Sequence, residues 1–169
     1  TNSQLAMTWS SSTSDADPGA GKIAFNNGTI SSVSILYVDD ADDASADISS
    51  FVQSWDDVSN TEARGIVTVT KEGTPSTYAT FKVSGAVTDA TGYTKVPVTH
   101  VVSAGSFSDN DGVGVHFSYS GADGAGTSLS GSTNNTVATV TGANALIGEA
   151  NLTFDGTDLL IASTGKLYL

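Results

Sequence analysis

Arg64-Gly65-Ile66-Val67-Thr68-Val69-Thr70-Lys71 alternates cleanly, with Val67 and Val69 opposed to Thr68 and Thr70. A period of two in β-branched residues is the pattern of a half-buried strand. The same period recurs on both sides of this stretch. Thr77 to Ser84 puts Ala79, Phe81 and Val83 on one face. Tyr93 to Ser103 carries Val96, Val98, Val101 and Val102, and Pro97 within it lacks an N–H, which predicts a sheet edge or a bulge there. Val113 to Tyr119 sets Val113, Val115, Phe117 and Tyr119 against Gly114, His116 and Ser118. Upstream, Ile23 and Phe25 alternate, Asn26-Asn27-Gly28 tolerates positive φ, and Val33, Ile35 and Tyr37 alternate with their neighbours, which reads as a hairpin. Turn signals separate the strands at Glu72-Gly73-Thr74-Pro75, Asp89-Ala90-Thr91-Gly92 and Ser108-Asp109-Asn110-Asp111-Gly112. One segment breaks the period: Ile48, Phe51, Val52 and Trp55 stand at i, i+3, i+4 and i+7, one face of a short helix that Asp47 or Ser45 can cap. So short a helix cannot stand alone in water and must pack on the sheet. The expected fold is mainly β: a β-sandwich or small barrel over residues 22–120 with one short helix.

Composition agrees. Of 169 residues, 46 are Ser or Thr and only 14% are charged, which suits extended structure with many turns and not a helical bundle. Net charge is −12 and the pI about 4.1. Six scattered basic residues cannot build a phosphate-binding face, so nucleic acid is excluded as a partner, and an anionic membrane surface would repel the chain. There is no run of apolar residues long enough to insert in a membrane, no Cys, and no signal-peptide pattern in Thr1 to Met7.

Residues 1–21 read as a polar lead-in whose Trp9 docks on its own domain or on a partner, an anchoring segment. Residues 121–135 form a Gly/Ser/Asn-rich tract that reads as a flexible linker. Residues 136–169 give short strand pieces with hairpin signals at Asp155-Gly156 and Thr164-Gly165. This tail carries Leu146, Ile147, Leu152, Phe154, Leu159, Ile161, Leu167 and Leu169. A segment under ~40 residues, without metal or disulfide, rarely folds alone. Burial against copies of itself around a symmetry axis is the expected remedy: a short-stranded, trimeric β-prism-like segment, the start of an intertwined shaft. Ending on Tyr168-Leu169, in mid-strand by pattern, predicts a longer parent protein.

Chemistry is sparse. His100 and His116 sit inside strand patterns without a triad partner nearby, and Ser-x-x-Lys and Gly-x-Ser-x-Gly are absent. Gly19-Ala20-Gly21-Lys22 fails as a phosphate loop because Ala16 and Ile23 occupy the positions that need Gly and Ser or Thr. Eight acidic residues and no basic one lie between Lys22 and Arg64, and Asp39-Asp40-Ala41-Asp42-Asp43 through Asp47 could offer oxygens to a cation, although Ser45 and Phe51 break an EF-hand frame. Capping the helix is the simpler use for these carboxylates. No catalytic set and no cofactor site emerges, so the chain is expected not to be an enzyme. The runner-up is a carbohydrate-binding module of a secreted or surface protein, with Tyr37, Tyr78, Tyr93 and Tyr119 as a sugar platform.

Asp17-Pro18-Gly19-Ala20-Gly21-Lys22-Ile23, Val33 to Asp39, Asp47-Ile48-Ser49-Ser50-Phe51, Thr88 to Thr99 and Gly105 to Asp111 resemble the modules of tailed-phage tail-fibre and related virion appendage proteins. The likeness covers roughly residues 15–120, and Asn151 to Gly156 with Thr164 to Tyr168 looks like the short repeats before distal fibre regions. The resemblance implies a homotrimeric structural protein of the virion, held by other virion proteins and reaching towards a host surface glycan through distal parts. A tail fibre is the first expectation and a capsid head fibre or decoration protein the alternative.

Overall fold

A computed structural model of the chain describes residues 4–121, 128–130, 136–142 and 145–161. The chain divides into two compact units, Thr1–Asp123 and Gly124–Leu169.

The first unit holds β1 (Leu5–Ser10), β2 (Lys22–Phe25), β3 (Ile35–Asp39), α1 (Ser49–Gln53), β4 (Gly65–Lys71), β5 (Tyr78–Val83), β6 (Thr88–Ala90), β7 (Tyr93–Ala104) and β8 (Gly112–Tyr119). Seven strands close in the order β3-β2-β1-β8-β4-β5-β7, and β7 returns to β3 through the pairs Ile35↔Pro97 to Asp39↔Tyr93. The choice left open by the sequence, sandwich or barrel, resolves as a barrel. Closure leaves no free edge among these seven strands. The alternating apolar positions face inward: Met7, Ile23, Phe25, Leu36, Val38, Val67, Val69, Phe81, Val96 and Val115 are buried.

The polar lead-in is a correction. Leu5, Met7 and Trp9 alternate inward along β1, which pairs antiparallel with β8 and parallel with β2. Trp9 docks on its own domain, between Phe25 and Phe107 at ring-centroid distances of 5.9 and 5.7 Å. Parallel neighbours need a crossover, and residues 11–21 supply it over the outside of the barrel. The Asn26-Asn27-Gly28 hairpin exists, but a longer loop with a 3₁₀ turn at Ile30–Ser32 joins β2 to β3. Asn26 closes that loop, its side-chain oxygen accepting from the N–H groups of Ser34 and Ile35.

Pro97 is a second correction. It lies in a strand paired on both sides, and the register shift of β7 falls at Val101, between the pairs Thr80↔Val102 and Phe81↔His100. On a strand the N–H and C=O of one residue point the same way. The Pro97 carbonyl accepts from Ser84 N–H, where the chain has left β5 and not yet entered β6. The missing donor therefore faces a gap in the ladder. The bulge turns Val101 and Val102 both outward.

The second unit is a small sheet: β9 (Ser128–Ser130), β10 (Thr136–Gly142), β11 (Ala145–Phe154) and β12 (Leu159–Ile161). The linker expected over residues 121–135 is thus interrupted by β9, which pairs parallel with β11. The Asp155-Gly156 hairpin forms as expected: Asp155 Oδ1 accepts from the N–H groups of Thr157 and Asp158, and Gly156 takes φ +103°. Among the described residues no helix is long and apolar enough to cross a membrane.

Candidate functional site

The helix is a plug. Ile48, Val52 and Trp55 are buried, and a 3₁₀ turn at Ser54–Asp56 carries the face one step past α1. Trp55 stacks on Phe117 at 4.7 Å with 13° between the planes, while Tyr119 and Phe51 meet Phe117 edge-on. Arg64 Nη1 donates to the Asp56 carbonyl and Asp56 Oδ2 accepts from Val87 N–H, pinning the turn to the barrel wall. Asp47 bonds the Ser49 N–H and hydroxyl at the helix start, whereas Ser45, at φ 62°, belongs to the preceding turn and caps nothing.

The four tyrosines of a sugar platform are not gathered. Tyr37 and Tyr93 are buried against each other. Tyr78 pairs with Thr70 and Tyr119 with Gly65, which sets them ~17 Å apart along β4.

The Tyr37–Tyr93 pair is covered by the crossover. Asp15 accepts from Tyr93 Oη and from Lys95 Nζ, both at 2.8 Å. The Lys95 and Tyr93 hydrogen bonds hold the Asp15 carboxyl below its ordinary 3.8. A depressed carboxyl stabilises the fold above its unfolded-state pKa and loses that contribution as pH falls through its folded-state value. The wild type is therefore expected to melt slightly above Asp15→Asn at neutral pH, with the gap closing below pH 3.8. Thermal melts across an acid series check this. A gap that stays constant to the acid end would contradict it.

The acidic run is spent on local structure. Asp39 Oδ1 accepts from Gly21 and Ala41 N–H, Asp42 Oδ1 from Ala44 and Ala46 N–H, and Asp43 Oδ1 from the Thr8 hydroxyl. Asp40 differs: among the described residues its buried Oδ1 meets no donor. Burial first, then the charges of Asp89, Asp39, Asp47 and Asp17, push its carboxyl up, so its charge works against the fold as pH rises. No three His, Cys, Asp or Glu side chains among the described residues gather so as to hold a metal ion. His100 bonds Ser103 Oγ at 3.0 Å and meets Phe81 edge-on, and His116 pairs with Thr68 on the outer wall.

On that outer wall two consecutive outward positions of β8 are glycines. Gly114 pairs with Ala6 on one side and Thr70 on the other, and Gly112 pairs with Thr8 while its carbonyl accepts from Glu72 N–H. Gly114, with Gln4, Leu5 and Ala6 and with Thr70 to Gly73, lines a trough of about 190 Å³. The Glu72 carboxylate lies where a Cβ on Gly112 would be, with Oε2 2.6 Å from that point, and Gln4 Oε1 lies over Gly114. Sequence reading missed this site. Its only local sign is Gly112 and Gly114 two residues apart in a strand.

The expected association residues are placed by the pairing of β11. Leu146 stands opposite Val140, Leu152 opposite Ile161 and Phe154 opposite Leu159. Cross-strand partners share a face, so each is an apolar pair. Ile147 stands opposite Thr139 and faces away from Leu146. Leu167 and Leu169 lie outside the described residues. Comparison with protein-family models, with curated proteins and with solved structures finds no match.

Proposed function

We propose that this chain is a structural segment of a virion fibre, most readily a tail fibre, that assembles as a homotrimer and links the virion to a distal host-attachment region. One observation supports it above the rest. None of the second unit's described side chains is buried, and Val140, Phe154 and Leu159 are 77%, 49% and 59% exposed. A single-layer sheet without a covering layer has no core, and copies around an axis would supply one. The resemblance of residues 15–120 to virion appendage modules gives those copies a place. The function is then mechanical: three chains present three identical distal modules, and linked weak contacts gain effective concentration. An acidic surface of net charge −12 keeps crowded copies from sticking.

Light scattering on the full chain tests it. The expected mass is about three times 17.1 kDa, and Phe154→Asp with Leu159→Asp should reduce it to that of one chain while the barrel keeps its melting temperature. A wild-type monomer at high protein concentration overturns the reading.

A further inference from the structure

The geometry points to Asn27-Gly28, in the loop between β2 and β3, as a site of spontaneous covalent modification, where the Asn27 side chain closes on the Gly28 nitrogen and ends as aspartate or isoaspartate. This does not depend on the fibre reading. The reaction needs an amide carbon as electrophile, an unobstructed backbone nitrogen beside it, and a donor for the oxygen that gains charge. All three meet here. Asn27 and Gly28 are exposed. Asn27 Oδ1 accepts from Thr29 N–H at 2.8 Å, an Asx turn that folds the side chain back over the Gly28 peptide. The same hydrogen bond polarises the Cγ–Oδ1 bond and is aimed at the oxyanion of the tetrahedral intermediate. Gly28 has no side chain, nothing lies within 4 Å of where its Cβ would stand, and its N–H donates to no acceptor among the described residues.

The bonds balance with water alone. A solvent base removes the Gly28 N–H proton, the nitrogen bonds to Asn27 Cγ, and Nδ2 takes up a proton and leaves as ammonia. One water then opens the succinimide. Cleavage of the Cγ–N bond gives aspartate, and cleavage of the bond from N to the Asn27 backbone carbonyl carbon gives isoaspartate. The other described asparagines are held out of this path. Asn26 spends its side chain on Ser34 and Ile35. Asn60 Oδ1 accepts from Ala63 N–H, and a β-branched Thr61 follows it. Asn110 is bonded to Lys22 and Asp109, and the Asp111 N–H that would attack is donated to Ser108. Asp155-Gly156 has the same turn, but a carboxylate is a poor electrophile with no amine to lose. Asn27-Gly28 is also the single Asn-Gly in the sequence.

The product carries one more negative charge, and isoaspartate adds a methylene to the main chain. Both changes are confined. Asn26 closes the loop on one side through Ser34 and Ile35, and the 3₁₀ turn at Ile30–Ser32 holds the other. The barrel wall should not feel them.

Incubation of the full chain at mildly alkaline pH, followed by intact mass and by fragmentation of the peptide that spans Asn27, tests the assignment. The expected result is a gain of about 1 Da at Asn27 before any other asparagine, as a mixture of ordinary and β-linked aspartate, at a rate that rises with hydroxide. Gly28→Ala should slow it about tenfold, because a Cβ crowds the nitrogen. Asn27→Gln, which would have to close a six-membered ring, should stay unconverted. Aged protein should melt with fresh protein. Intact Asn27 after a time in which the free peptide of residues 25–30 converts completely overturns the assignment, as does first conversion at Asn60 or Asn110 or an unchanged rate in Gly28→Ala. A lower melting temperature in aged protein overturns the confinement to the loop. None of these outcomes touches the oligomeric state, so the trimer stands or falls separately.

Discussion

Trp55→Ala is expected to cost about 4 kcal/mol and to lower the melting temperature of the barrel by roughly 15 °C. Trp55 is fully buried, and its ring is the surface on which Phe117 stacks and against which Phe51 packs. Truncation would leave a hole at the mouth of a closed barrel whose wall is tied together by strand pairing on every side, so the site cannot collapse to fill it. The cost therefore belongs in the upper part of the large-to-small range. Trp55→Phe supplies the control. It keeps a ring for the stack and removes an indole N–H that, among the described residues, has no acceptor. Its loss should stay under about 1.5 kcal/mol. Thermal or denaturant melts of both variants decide the matter. A Trp55→Ala protein that melts within a few degrees of the wild type would mean that the helix decorates the barrel and does not plug it.

Gly65→Ala is expected to destabilise by about 3 kcal/mol although it adds a single methyl group. Gly65 is buried at the start of β4, directly beside the ring of Phe117. A β-carbon there would overlap that ring and sit 2.7 Å from the Ser118 carbonyl oxygen. The ring could swing away only by leaving Trp55. The Ser118 oxygen belongs to the strand that pairs with β4 and cannot move without breaking the ladder. The variant should therefore show two losses at once: a lower melting temperature and a weakened near-ultraviolet signal from the Trp55–Phe117 stack. Gly73, at φ +69° with open space around it, gives the contrast, since its strain is conformational and local. Equal melting temperatures for Gly65→Ala and the wild type would contradict the packing described for the plug.

Much of the barrel is legible in the residues themselves. Val67 and Val69, Phe81 and Val83, and Val113 and Val115 announce their inward face by alternation alone, and Ile48, Val52 and Trp55 announce a helix by a different period. The Asp155-Gly156 turn was readable for the same reason: its geometry is set by its own side chain and a glycine. β1 was also written in the chain, as Leu5, Met7 and Trp9, but the Ser-rich run that follows drew the reading towards a lead-in. Nothing local marked β6, three residues inside a turn-like stretch. The acidic run invited a cation because carboxylates look alike in a sequence. Which of them would be occupied by the N–H groups of Gly21, Ala41, Ala44 and Ala46 depended on a loop not yet folded.

By itself, then, the order of amino acids determined which segments extend, which side of each turns inward, and that one short helix needed a place to bury its apolar face; of the four large side chains on it, Ile48, Val52 and Trp55 are buried and Phe51 stays exposed. Only the tertiary structure decided that β3 and β7 meet to close the wall, that Trp55 fills its mouth, and that two outward glycines on β8 fall between Gln4 and Glu72. The reason is physical. Alternation is a property of neighbours in the chain, whereas a strand's partner and its register are fixed by contacts between residues far apart, and these exist only once the whole barrel is assembled.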